Sequence, residues 1–232
     1  MIPDILVRYG PRMLEGFLVT LELVAISVSL GALLAALVTR ARLSTQAWLR
    51  GLSFAYVYFF RGTPILAQTY LVYYGSGQFR EALAAAGLWW FFRDAFLCCL
   101  LTFTLNTAAY QAEIYRGAVR AIPPGQWDAA HALGLRPHQT FLKVILPQAF
   151  ILAFRPIGNE IILMIKSSAI AAVVTVFDLM GATRLAFSRS FDISVYFWAA
   201  ILYLMLVETL RRVWDMLEKR FNRHGLAAHR GR

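Results

Sequence analysis

Apolar residues run along this chain in five long blocks separated by short polar stretches: 17–39, 52–74, 95–115, 149–177 and 194–210. A bilayer core takes about 20 helical residues to cross, so each block is long enough to span. The first, FLVTLELVAISVSLGALLAALVT, is the cleanest. The second is interrupted by Arg61, Gly62 and Pro64, where Gly62-Thr63-Pro64 reads as a helix start, proline being tolerated in a first turn. The fourth is long enough to include a broken or tilted part. A soluble core could absorb one or two such runs; five leave too little polar chain to cover them. The pattern therefore predicts an all-α membrane protein with five transmembrane helices in a single domain, 1–232, and one long polar connection, 123–147.

Composition agrees. Of 232 residues, 59% are hydrophobic and 16% charged, with mean hydropathy +0.57, against about 45–50% and about 25% for soluble domains. Arg and Lys concentrate in 40–51, 116–148 and beyond 210, and are sparser on the alternate side. The positive-inside rule then puts the N-terminus outside and the C-terminus in the cytoplasm. The net charge of +10 becomes a cytoplasmic collar beside anionic lipid, not a nucleic-acid surface. The end, RRVWDMLEKRFNRHGLAAHRGR, reads as a helix end followed by a disordered basic tail. The N-terminus lacks a signal-peptide layout, so the first span is expected to act as an uncleaved insertion signal. Cys98 and Cys99 are adjacent in an apolar run and point in different directions, which suits neither a disulfide scaffold nor a shared metal site.

Chemistry-bearing motifs are scarce. No G-x-x-x-x-G-K-[ST] loop cradles a nucleotide and no H-E-x-x-H binds zinc. His131 and His138 are separated by a proline and suit a loop better than a metal. No internal repeat supports an inverted-repeat carrier. An odd number of spans in one short chain suggests half of a dimer with the pathway between subunits.

The polar connection is punctuated. Pro123, Pro124 and Gly125 stop the preceding helix. Gln126 to Leu135 then reads as a short helix, with Asp128 near its positive end. Trp127, Ala130, Leu133 and Gly134 fall on one face. Gly134 can close the helix or permit close approach, and Pro137 prevents its continuation. A second amphipathic turn, 140–146, leads to Pro147. Such a segment fits either an interfacial helix on the headgroups or a stiff knob presented to a partner.

DAAHALGLRPHQTFLKVILP resembles the EAA loop of bacterial ATP-binding-cassette (ABC) importer permeases. Asp128-Ala129-Ala130, Gly134, Val144 and Leu146-Pro147 match its spacing, with Asp for Glu and Val for Ile. YFFRGTPILAQ (58–68), TFTLNTAAYQAEIYRGAVRAIPPGQWDAA (102–130) and NEIILMIKSSAI (159–170) resemble other segments of the polar amino-acid branch, nearest to histidine, lysine/arginine/ornithine and opine permeases. The resemblance implies a type I importer permease that moves polar, basic amino acids or opines inward across the inner membrane. Its implied partners are a homologous permease subunit (a heterodimer), two ATPase subunits and a periplasmic substrate-binding protein. The chain itself would be no enzyme and hold no cofactor, ATP and Mg belonging to the ATPase. Asp128, Ala129, Ala130, Gly134, Leu146 and Pro147 would form the coupling helix region that grips it.

Ionisable residues at membrane depth face a pathway or a partner. Asn159 and Lys166 lie two turns apart on nearly one face, with Glu160 offset by about 100° and Ser167 and Ser168 following. Given the resemblance, Lys166 could receive a substrate carboxylate, Glu160 a side-chain cation, and Asn159 either end; Glu160 and Lys166 could instead satisfy each other. Tyr110 is placed along the pathway. Glu113 is a pathway candidate that better suits a structural pair with Arg116, three residues on. An ion-coupled carrier independent of ATP, using Glu160 or Glu113, is the alternative.

Overall fold

The computed structural model describes residues 4–222. Among these, every regular element is helical. Helices α1 (Asp4–Arg42), α6 (Ala95–Arg120) and α11 (Ser194–Asn222) are long and continuous. Between them lie α2 (Ala47–Gly62), α3 (Ile65–Gln78), the short α4 (Arg80–Ala85) and α5 (Trp89–Phe92), then α7 (Pro124–Ala132), α8 (Pro137–Thr140), α9 (Leu146–Ser168) and α10 (Leu179–Ser190). A π-helical turn, Phe141–Ile145, joins α8 to α9, and a 3-10 turn, Ala169–Val174, extends α9. Four helical stretches among the described residues are long and apolar enough to cross a membrane: Val7–Arg42, Ala95–Arg120, Pro137–Val174 and Ser194–Arg220. The block 52–74 instead falls on two helices, α2 and α3, which meet at Thr63 and Pro64.

Helices outrun the apolar blocks for identifiable reasons. The first turns of α1 precede residue 17 because Tyr9 packs with Ala186 and Val195, and Met13 with Leu179 and Ala199. The end of α6 passes residue 115 because Ala118 and Ile122 pack with Ile145 and Ala149. Beyond 210, α11 is supported by Glu208 pairing with Arg211 and Arg212 at helical spacing. The basic tail expected at 223–232 lies outside the described residues.

The seam between α1 and α6 organises the bundle. Ser27, Gly31 and Ala35 recur every fourth residue along α1, and Ala35 packs on Ala108 and Ala112 of α6. Small residues let helix backbones approach where lipid supplies no hydrophobic drive between them. At Gly31 a Cβ would sit 2.5 Å from Thr107 Cγ2, so the approach excludes any larger side chain. The Thr39 hydroxyl donates to the Ala112 carbonyl across the same seam, at 3.1 Å. Helix α9 packs on both α6 and α1, with α10 against α1 and α11 against α9 and α10. Cys98 and Cys99 are both fully buried on α6 and free.

Candidate functional site

The polar connection folds into a stiff bracket at one end of the bundle. Pro124 occupies the first turn of α7, where a missing N–H costs nothing. At the other end Gly134 adopts φ 73°, its N–H bonding the His131 carbonyl at 2.9 Å while the Leu135 N–H bonds that of Ala130 at 3.1 Å. This is the Schellman closure, which needs a residue at ease in the left-handed region. The backbone N–H of Arg136 then donates to Gln139 Oε1 at 3.1 Å, opening α8. Ala130 is buried, Trp127 packs against the Ile122–Ile145–Ala149 cluster, and Gln148 Nε2 of α9 donates to Gln126 Oε1 at 3.1 Å. Asp128, Ala129, Gly134, Leu146 and Pro147 remain exposed. Leu133 corrects the expectation of a shared apolar face. As the C-cap residue it leaves the helical path and stands 80% exposed.

Within the bundle the pathway candidates divide. Asn159 and Lys166 are exposed on α9, and Ser167 is half-buried. Glu160 is 6% exposed and accepts a 3.1 Å hydrogen bond from the Thr107 hydroxyl of α6. It makes no ion pair with Lys166: the two carry different faces of one helix. Ser168 is buried and donates to the Ile165 carbonyl at 2.7 Å. Tyr110 is half-buried beneath the Arg61 guanidinium, 5.1 Å from its ring centroid. Glu113 is clamped from two sides, accepting from Arg42 Nε at 3.0 Å and Arg116 Nε at 2.9 Å. The Arg116 partner was expected; Arg42 ties α1 into the same cluster.

Two polar assemblies had not been singled out from the sequence. In the first, Thr107, Gln111 and Tyr115 stand at four-residue intervals along α6. The Thr107 hydroxyl passes its proton toward Glu160 while accepting from Gln111 Nε2 at 3.1 Å. Gln111 also donates to the Val28 carbonyl of α1 at 3.2 Å and accepts from the Tyr115 hydroxyl at 3.1 Å. In the second, Gln68 of α3 closes the break between α2 and α3. Its Nε2 lies 3.0 Å from the Phe60 carbonyl, 3.1 Å from that of Thr63 and 2.8 Å from Thr63 Oγ1. Asn106 Nδ2 reaches both Phe60 O and Gln68 Oε1 at 3.0 Å. For the first assembly the available signal is four-residue spacing of uncharged polar residues inside an apolar block, a pattern less conspicuous than charge; Gln68 and Asn106 carry no such mark.

An all-helical bundle of long apolar helices with polar side chains turned inward and a capped polar bracket at one end is the architecture of a polytopic membrane protein. The model for binding-protein-dependent transport system inner membrane components matches residues 27–223. The nopaline transport system permease protein NocM of Agrobacterium fabrum is 34% identical over 222 residues, 95% of this chain and 92% of that protein. The arginine ABC transporter permease protein ArtM of Escherichia coli K12 is 37% identical over 165 residues, 71% of this chain and 74% of that one. A chain from a crystal structure of an amino acid ABC transporter with histidines superimposes with TM-score 0.83 at 30% identity, covering 93% of this chain and 96% of the other. The chain belongs to the family of binding-protein-dependent transport system inner membrane components. It is a multi-pass permease subunit of an ABC importer in the bacterial inner membrane, which sets aside the ion-coupled alternative. Nucleotide is bound and hydrolysed by its partner ATPase, and substrate reaches it from a binding protein.

Proposed function

We propose that this permease carries basic amino acids or opines, and that α7 is the lever through which its ATPase drives it. The similarity to permeases named for nopaline and arginine transport, over 95% and 71% of this chain, carries the substrate class. The polypeptide crosses five times, α2 and α3 together making the second crossing, with the N-terminus periplasmic and the C-terminus cytoplasmic. It pairs with a homologous, non-identical permease subunit.

The lever reading is supported by stiffness. A helix opened by proline, closed by a Schellman motif and fastened to α9 through Gln126 transmits displacement to the bundle with little internal bending. Asp128, Ala129, Gly134, Leu146 and Pro147 form the exposed grip on the ATPase, and Ala130 seats it on the permease. ATP-driven closure shifts the permease between states because the ATP-bound ATPase pair fits one arrangement of the two levers better than the other.

For the pathway, Asn159, Lys166, Ser167 and Tyr110 have surface to offer a substrate. Lys166 takes the carboxylate. Glu160, bonded to Thr107 and without an ion-pair partner among the described residues, takes the side-chain cation when the helices part. Ser168 and Glu113 hold the helices on which this surface rests. The test is uptake into proteoliposomes holding both permease subunits, the ATPase and the binding protein. Arginine uptake should require ATP and binding protein, and Glu160→Gln should depress cationic uptake more than neutral uptake. Uptake without the ATPase removes the lever, and equal losses for both substrate classes remove Glu160 from cation recognition.

A further inference from the structure

A groove of about 850 Å³ opens between the end of α1, the start of α9 and Trp214 of α11, at the same end of the bundle as α7. Its walls are apolar along their length, with Ala36, Ala153 and Phe150 among them, and contain no acidic side chain. Polar groups gather at one mouth, where α1 ends and the chain turns into α2. Thr39 and Tyr115 have already committed their hydroxyl protons, to the Ala112 carbonyl and to Gln111 Oε1. Arg40, Ser44 and Thr45 have not. Among the described residues Arg40 makes no hydrogen bond or ion pair, and the Ser44 hydroxyl serves only as acceptor for the Gln46 N–H.

The surroundings reinforce the positive character of this mouth. Arg50 lies against it, donating to the Ser44 carbonyl at 3.3 Å. Glu113, an acid on the neighbouring α6, is already taken by Arg42 and Arg116. Helix α2 begins two residues beyond Thr45 with no side-chain cap and no acid in its first turn, leaving free N–H groups and the positive dipole end. Trp48, in that first turn, is 66% exposed, as suits the level of the headgroups. A long apolar slot ending in an unpaired guanidinium, two hydroxyls and a bare helix start matches one chemistry. It wants a hydrocarbon chain attached to an anion.

We propose that this groove binds an anionic phospholipid, one acyl chain lying between α1 and α9 against Trp214 and the phosphate held by Arg40, Ser44 and Thr45. Basic pockets between helices on the cytoplasmic side suit such headgroups, and the volume falls within the usual range of ligand clefts, about 300–1,000 Å³. The leaflet assigned, the cytoplasmic one, rests on the orientation proposed above; the binding itself does not, and is read without transport. The lipid would brace α1 against α9 beside the π-helical turn through which α8 enters the bundle.

The experiment is native mass spectrometry of the purified transporter titrated with phosphatidylglycerol and phosphatidylcholine. The wild-type complex should retain phosphatidylglycerol preferentially. Arg40→Gln should weaken phosphatidylglycerol binding roughly fivefold, the effect of one cation near a headgroup, and leave phosphatidylcholine unchanged. Ala36→Trp, a change at an exposed wall position, should block both lipids while the complex still assembles. Excess inorganic phosphate should not displace the lipid. Equal binding of the two lipids, unaltered by Arg40→Gln, overturns the proposal, as does displacement by phosphate alone. A photo-crosslinker at position 36 that captures the second permease subunit in place of lipid overturns it too.

Discussion

Two proline-marked interruptions divide this bundle, and they are stabilised in opposite ways. The bracket at 121–136 satisfies its loose backbone groups locally, through the Gly134 closure and the Gln139 cap. The break at Thr63 and Pro64 lies against α6 and depends on side-chain donors, Gln68 a turn into α3 and Asn106 of α6, 46 positions from Phe60, to satisfy the Phe60 and Thr63 carbonyls. In the hydrocarbon of the second crossing proposed for α2 and α3, no water takes up a freed carbonyl, so the turn must recruit donors from its neighbours. Outside it, a few well-chosen residues suffice. The bracket is thus a device that can move as a unit, and the break a joint tied to the helix beside it.

The largest effect is expected at the bracket's closure. Gly134→Val puts a β-branched residue at φ 73°, a strain of about 1–3 kcal/mol in a region such side chains avoid. ATP-dependent uptake should be abolished while the chain still inserts, whereas Gly134→Asn, which tolerates the left-handed region, should keep most activity. A Cβ at 134 meets open space, so equal loss in both variants would show that contact surface, not backbone shape, matters there.

Next comes the joint. Gln68→Leu removes the side-chain donor to the Thr63 carbonyl and leaves the Phe60 carbonyl with Asn106 alone, at about 1–3 kcal/mol for a buried group left unsatisfied. Thermal unfolding in detergent should fall by several degrees, and Asn106→Leu should add less in the Gln68→Leu background than alone, because the two residues share one network. Full additivity would separate them. Gly31→Val, at the α1–α6 seam, should cost about 1–3 kcal/mol by overpacking against Thr107. An unchanged melting temperature would mean the seam is looser than the packing implies. The smallest effect belongs to the exposed fan of Glu208 with Arg211 and Arg212: Glu208→Gln should leave melting unaltered within error.

The same comparison explains what could be read in advance. Starts at 95 and 194, the helix stop before Pro123, the positive turn at Gly134 and the interruption near Pro64 rest on short-range rules of apolar periodicity, proline and glycine, and these are legible along the chain. Thr107 lies 53 positions from Glu160, and Gln68 38 from Asn106. Nothing local marks such partners, because they are chosen by how α3, α6 and α9 pack. Glu160 and Lys166 illustrate the point. Their spacing permitted a mutual pair, but packing on α6 took the carboxylate inward and left the ammonium outside. Arg42, 71 positions from its partner Glu113, is chosen by packing in the same way, and Leu133 leaves the expected apolar face because α7 ends at Ala132, two residues before its periodicity does at Gly134.

The most direct test places a photo-crosslinker at the exposed position 129 of α7 in the complete transporter. The account predicts a covalent adduct with the ATPase subunit whose yield changes between nucleotide-free and ATP-trapped states. Adducts with lipid alone, or an ATPase adduct in a complex whose ATP-driven uptake proceeds unhindered by it, would contradict the lever.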